Sequence, residues 1–175
     1  RDRVLRLGQV PREQALAAFD AREKGALLLR YARSQRPVVG LDFSRAWLSE
    51  ADLSKANLRG VLLQGAELSG AYMGGVDLRE ADLRDVSMRD ARLPRAKLSG
   101  ASLTTASLHR TEFQGADLSD ADLNGARLQG CDLEDAQLSG ASMRGVSLIR
   151  AELHRADLSG ADLSGATLAG ITSRR

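Results

Sequence analysis

Between Leu41 and Gly170 the chain follows a rhythm of five. One large apolar residue stands at the centre of each unit, one small apolar residue stands two places before it, and the other three positions are mostly polar or glycine. Twenty-six consecutive units keep this pattern without an insertion, from Leu41-Asp42-Phe43-Ser44-Arg45 to Ala166-Thr167-Leu168-Ala169-Gly170. The centre is Leu in twenty-one units, Met at Met73, Met88 and Met143, and Phe at Phe43 and Phe113. The small position is Ala in nineteen units, with Leu41, Val61, Val76, Val86, Thr111, Cys131 and Val146 filling the rest.

A period of five suits neither common regular structure. At roughly 100° per residue on a helix the centres would spiral around the axis, and on a continuous strand an odd period would flip them between faces. Both arrangements would leave half the leucines in water. The remaining solution is a three-residue extended piece, whose first and third side chains point the same way, followed by a corner in every unit. Repeated corners make a coil, and stacked coils bury a continuous column that no unit could bury alone. Phe43, Leu53, Met73, Leu83, Leu103, Phe113, Leu123, Cys131, Met143 and Leu163 are expected to line that column.

The corner chemistry agrees. The fifth position is Gly in thirteen units, and Gly supplies the positive φ that the second central residue of a type II turn requires. Pro94 stands at the first central position, where its fixed φ fits. Units that carry Lys55, Asp85 or Asp90 in the glycine place are expected to use type I turns.

Six units read Ala-Asp/Asn-Leu: Ala51-Asp52-Leu53, Ala56-Asn57-Leu58, Ala81-Asp82-Leu83, Ala116-Asp117-Leu118, Ala156-Asp157-Leu158 and Ala161-Asp162-Leu163. Residues 41–170 therefore resemble the pentapeptide repeat family, whose signature these units match. The resemblance implies an all-β solenoid, a right-handed quadrilateral β-helix with four units per coil. Twenty-six units then make six and a half coils, about 30 Å tall at a spacing of about 4.8 Å.

Three segments result: a basic lead-in over residues 1–40, the repeat over 41–170 and a short tail over 171–175. Arg1 to Gln9 is unpatterned. From Pro11 through Ser34 the composition predicts helix, interrupted at Gly25, with Leu16, Phe19, Leu27, Leu28 and Tyr31 as its apolar surface. Arg36-Pro37 stops it. An N-terminal helical cap is expected, because the first coil of a solenoid exposes unpaired backbone and its leucine interior. Ile171 to Arg175 offers no such cover, so the last coil implies end-to-end pairing, a further segment or an edge kept soluble by charge. Self-association as a homodimer through that coil is the preferred reading. The chain starts at Arg1 without Met, which suggests a module of a longer bacterial protein, with a cytoplasmic location.

Composition narrows the chemistry. Aromatic residues make up 3% of the chain, too few for an ordinary globular core but enough for a leucine-filled solenoid. No apolar run is long enough to span a bilayer. Cys131 occupies an inward small position and reads as a buried hydrophobe. His109 and His154 point outward nine units apart and share neither a proton nor a metal; no cofactor or metal is expected, and catalysis is not.

The overall pI near 9.0 hides an uneven division of charge. Residues 1–40 carry nine Lys/Arg against four Asp/Glu, whereas 41–170 carries fourteen against nineteen. The most basic face holds Arg89, Arg110, Arg127 and Arg150, interrupted by Glu50, Glu67 and Asp90, so direct nucleic-acid binding is disfavoured. The family resemblance also implies a contrasting role, since some bacterial members resemble duplex DNA and occupy the DNA saddle of DNA gyrase. This chain departs from them in its modest charge and in having neither an inserted loop nor an evident C-terminal dimerisation helix. Trp47, Leu62, Tyr72 and Ile149 break the outward polar rule and are the candidate protein interface; the first three are also the candidate seat of the lead-in. A rigid protein–protein interaction scaffold is the leading expectation, with DNA gyrase as the alternative partner.

Overall fold

The computed structural model describes residue 16 and residues 18–173. The expectations for Arg1–Gln9 and for a helical start at Pro11 lie outside the described residues.

Coiling is set by one register. Twenty-three parallel bridges join the second residue of each unit to the residue twenty positions on, from Asp42 with Leu62 to Glu152 with Thr172. Twenty residues are four units, so each coil has four sides. The bridges form four ladders, which define four faces. The first runs through Asp42, Leu62 and Asp82, and the second through Trp47, Glu67 and Ser87. The third runs through Asp52, Tyr72 and Arg92, and the fourth through Asn57, Asp77 and Lys97.

Each unit satisfies its own backbone in a fixed way. In the first unit Phe43 N–H donates to Leu62 O at 2.8 Å and Arg45 N–H to Gln64 O at 2.9 Å, while Leu62 N–H returns a bond to Leu41 O at 3.1 Å. Ala46 N–H closes the corner on Phe43 O at 3.0 Å. That bond, with a positive φ at the second central residue, describes a type II turn.

All twenty-six corners have this positive φ, and twenty-five of them close with the same bond. Glycine corners have φ of 62° to 71°, and the thirteen corners with a side chain have φ of 55° to 60°. The expectation of type I turns at Lys55, Asp85 and Asp90 is therefore corrected, since their φ values are 60°, 57° and 57°. The reason is the register. A corner of different shape would aim the next side away from the coil beneath it and break bonds such as Lys55 N–H to Gly74 O at 2.9 Å. Adopting the left-handed region costs a side-chain-bearing residue about 1–2 kcal/mol, which the ladder bonds on both sides offset.

The inward positions pack as the rhythm predicts. Phe43, Leu53, Met73, Leu83, Leu103, Phe113, Leu123, Cys131 and Met143 are buried, each leucine contributing about 1.5–3 kcal/mol by leaving water. Leu163 is half-buried, because it belongs to the last coil and nothing among the described residues stacks upon it.

Helix precedes the coils: Leu16 is helical, and one helix is described from end to end. α1 (Ala21–Arg33) starts at Asp20, whose carboxylate accepts from Arg22 N–H and Glu23 N–H while Glu23 bonds back to Asp20 N–H at 2.9 Å. This reciprocal pair fixes the start of α1 at Ala21. Gly25 does not interrupt the helix. A Cβ there would sit 2.1 Å from Trp47 O, so this glycine is what lets α1 lie against the first coil. Leu28 and Tyr31 are on the buried side of α1, and the Tyr31 ring meets Phe43 edge-on at 6.3 Å.

Two substitutions test the inward assignment. Leu103→Asp buries an unpaired charge and is expected to unfold the coil, at a cost of several kcal/mol, whereas Ser99→Asp nearby leaves the denaturation midpoint almost unchanged. Similar behaviour of the two would invalidate the assignment. A separate substitution tests the corner. Gly145 has φ 64° and open space where a Cβ would go, so Gly145→Ala should lose about 1 kcal/mol through backbone conformation alone. Chemical denaturation reads this, and an unchanged midpoint would remove the strain argument.

Candidate interaction surface

The backbone N–H of the fourth residue of each unit is not used by the ladders, and in eleven units among the described residues the side chain of the second residue accepts from it. Ser54 N–H donates to Asp52 Oδ1 at 3.0 Å, Arg59 N–H to Asn57 Oδ1 at 3.3 Å, Asn124 N–H to Asp122 Oδ1 at 3.0 Å and Ser159 N–H to Asp157 Oδ1 at 2.9 Å. These are local turns in which a short carboxylate or amide reaches two residues ahead. The Asp and Asn of the repeat thus hold corners, a role that sequence reasoning missed although the spacing contained it.

Arginine claims much of the remaining acidity. Nine acidic side chains in the coils form ion pairs, among them Asp90 with Arg110 at 2.7 Å, Asp162 with Arg144 at 2.5 Å, and Glu134 and Asp135 with Arg155 at 2.8 and 2.6 Å. Most of these pairs join neighbouring coils, so they appear at separations near twenty in the sequence. Most are exposed on both sides and contribute little individually.

The four candidate interface residues do not form one patch. Trp47, Leu62 and Tyr72 are 53%, 36% and 47% exposed and stand on the second, first and third ladders respectively. Trp47 belongs to the α1 junction: its N–H donates to Ala21 O at 2.8 Å, and the Arg22 guanidinium lies 4.9 Å from its ring. Tyr72 stands under Arg92 at 5.3 Å. Ile149 is half-buried on the second face, five coils from Trp47.

Among the described residues no cluster of His, Cys, Asp and Glu is arranged to hold a metal. His109 Nδ1 is 3.3 Å from Ser107 Oγ, and Arg155 approaches His154 Nε2 at 3.0 Å; the two histidines stand on different faces. Cys131 is buried with its thiol 2.7 Å from Leu108 O, and burial pushes that thiol up to about 12, so it is not a thiolate at neutral pH. A depression of about 480 Å³ lies at the α1 junction between Lys24, Asp42, Gln64 and Asp85. No helix among the described residues is long and apolar enough to cross a membrane.

A model of pentapeptide repeats matches the chain in eight copies, over residues 39–65, 62–100, 93–130 and 131–170. No curated protein matches it. Among solved structures, HetL from the cyanobacterium Nostoc sp. strain PCC 7120, a pentapeptide repeat protein involved in heterocyst differentiation regulation, is 30% identical over 76% of this chain and 81% of its own, with a TM-score of 0.37. The alr5209 protein of Nostoc PCC 7120 is 33% identical over 64% of this chain and 78% of its own, with a TM-score of 0.33. A trypsin-treated form of QnrB1, a plasmid-mediated fluoroquinolone resistance protein, is 19% identical over 75% and 84%, with a TM-score of 0.50. At that identity the likeness to QnrB1 is one of fold. The architecture is a right-handed quadrilateral β-helix.

The corner carboxylates make acid stability predictable. The Ser54 backbone and hydroxyl hold Asp52 below its usual range, the Ser159 hydroxyl and backbone hold Asp157 there, and Ser164 with Arg144 holds Asp162 at about 2. A depressed folded-state pKa stabilises fully above the unfolded value of about 3.9 and loses its effect as pH falls through the folded value. Denaturation midpoints should therefore hold from neutrality to about pH 5 and fall between about pH 4 and pH 2. Converting Asp52, Asp157 and Asp162 together to Asn keeps an acceptor at each corner and should flatten that fall. An equally steep fall in the triple variant would contradict the assignment.

Proposed function

This chain belongs to the pentapeptide repeat family, and from that membership we propose that it works as a non-catalytic scaffold for binding another protein. The observation that carries the reading is the unbroken ladder register, which holds side chains on four flat faces at fixed spacing from Asp42 to Thr172. Such faces are preorganised, so a partner loses little entropy by ordering them. They offer width rather than a cleft in which to enclose a small substrate.

In this reading α1 acts as the lid of the N-terminal end. Leu41, Phe43, Leu48, Leu53 and Leu58 of the first coil are 6% exposed or less, whereas Leu168 at the other end is 47% exposed. The last coil then serves as a pairing surface between two copies, where stacking would extend both ladders and cover the leucines.

The excess of acidic residues over 41–170 favours a second reading, a DNA-like modulator of DNA gyrase. Against it stand the nine acidic groups already held in ion pairs, because a phosphate mimic works through charge left free.

Affinity capture from a bacterial lysate with the whole chain as bait separates these readings. The scaffold reading expects a protein retained through moderate salt. Gyrase subunits released by that salt would favour DNA mimicry instead. Substrate turnover that disappears in a His109→Ala variant, or the absence of any retained protein, would overturn both.

A further inference from the structure

The second face changes character along its length. Its first two coils carry Glu50 and Glu67, but from the third coil onward its outward positions hold Arg89, Arg110, Arg127 and Arg150 against one carboxylate, Asp90. Arg110 takes that carboxylate through two bonds, at 2.7 and 2.9 Å. Arg89 spends its Nε on a neutral acceptor, Ser107 Oγ, at 3.1 Å. Arg89, Arg127 and Arg150 are exposed, and among the described residues none of them is in an ion pair. Three arginine charges are thus left free on a face whose backbone cannot shift.

These cations converge. His109 stands half-buried between them, and burial together with Arg89, Arg127 and Arg110 holds its imidazole below the usual range. The strip runs from the third to the sixth coil, about 15 Å at about 4.8 Å per coil. It is also narrow. The third face borders it with Asp132 and Glu152 and the first face with Asp122, and among the described residues none of these three is in an ion pair.

We infer that this strip is a docking surface for an acidic, extended peptide segment lying along the stack of coils, an assignment that rests on the scaffold reading and names its partner's chemistry. About five extended residues span the strip, and their carboxylates can meet the guanidinium groups in two-bond geometry. A nucleic-acid duplex or an anionic membrane fits less well. Either is wider than one face and would press against the bordering carboxylates, and three free cations release few counterions.

Fluorescence anisotropy tests this with a short labelled peptide of alternating Asp and Glu, its Asn and Gln counterpart, and a short DNA duplex. The intact chain should bind the acidic peptide, with affinity that falls as salt rises, and should not bind the amide peptide. Arg127→Glu should weaken binding about tenfold, and Arg89→Glu with Arg127→Glu further, because attraction becomes repulsion. Arg95→Glu, the same charge change on the third face, should leave it unaltered. Thermal melting confirms that each variant is folded. No binding of the acidic peptide, equal binding by all variants, or tighter binding of the duplex would overturn the assignment. Lysate capture separates this failure from that of the scaffold reading. A partner retained equally by the intact chain and by the double variant removes the strip and leaves the scaffold, whereas nothing retained by either removes both.

Discussion

A backbone that turns the same corner after every third extended residue, and lands each time beneath its equivalent twenty residues on, governs the other features of this molecule. The register admits one corner shape. It therefore holds arginine, aspartate, lysine and threonine at φ of 55° to 60°, a region that glycine enters without steric cost. It also explains the composition. One N–H per unit closes the corner, three others join neighbouring coils, and the last is met in eleven units by a side-chain acceptor two residues back. Asp and Asn are the short residues that provide it.

The same accounting bears on function. A face rich in Asp looks acidic in the sequence, yet many of those carboxylates serve the corners or pair with arginine from the next coil. What remains available to a partner is what the repeat does not consume: free arginines on the second face, Tyr72 beneath Arg92 on the third, and Leu62 on the first. Specificity in such a scaffold resides in departures from the pattern, because the pattern itself is committed to holding the coil.

Most of the coil was legible before any coordinates. Period five excludes the helix and the continuous strand, and Gly at the fifth place announces the turn. Corners at Lys55, Asp85 and Asp90 were misread because local preference favours ordinary turns there, and local preference does not register the coil below. Gly25 was misread for a related reason. In isolation it weakens a helix, but here it admits the Trp47 carbonyl, a contact between residues twenty-two apart.

From the sequence alone came the buried column, the outward polar positions, the place of the corners and the presence of a helix before the first coil. These are consequences of local covalent geometry repeated many times, so each unit carries the information. The tertiary structure decided which residues share a face. It separated Trp47, Leu62 and Tyr72 onto three ladders, and it placed Arg89, Arg127 and Arg150 along one. Neighbours on a face are about twenty residues apart in the chain, and only the closing of the coil through four equal corners brings them together.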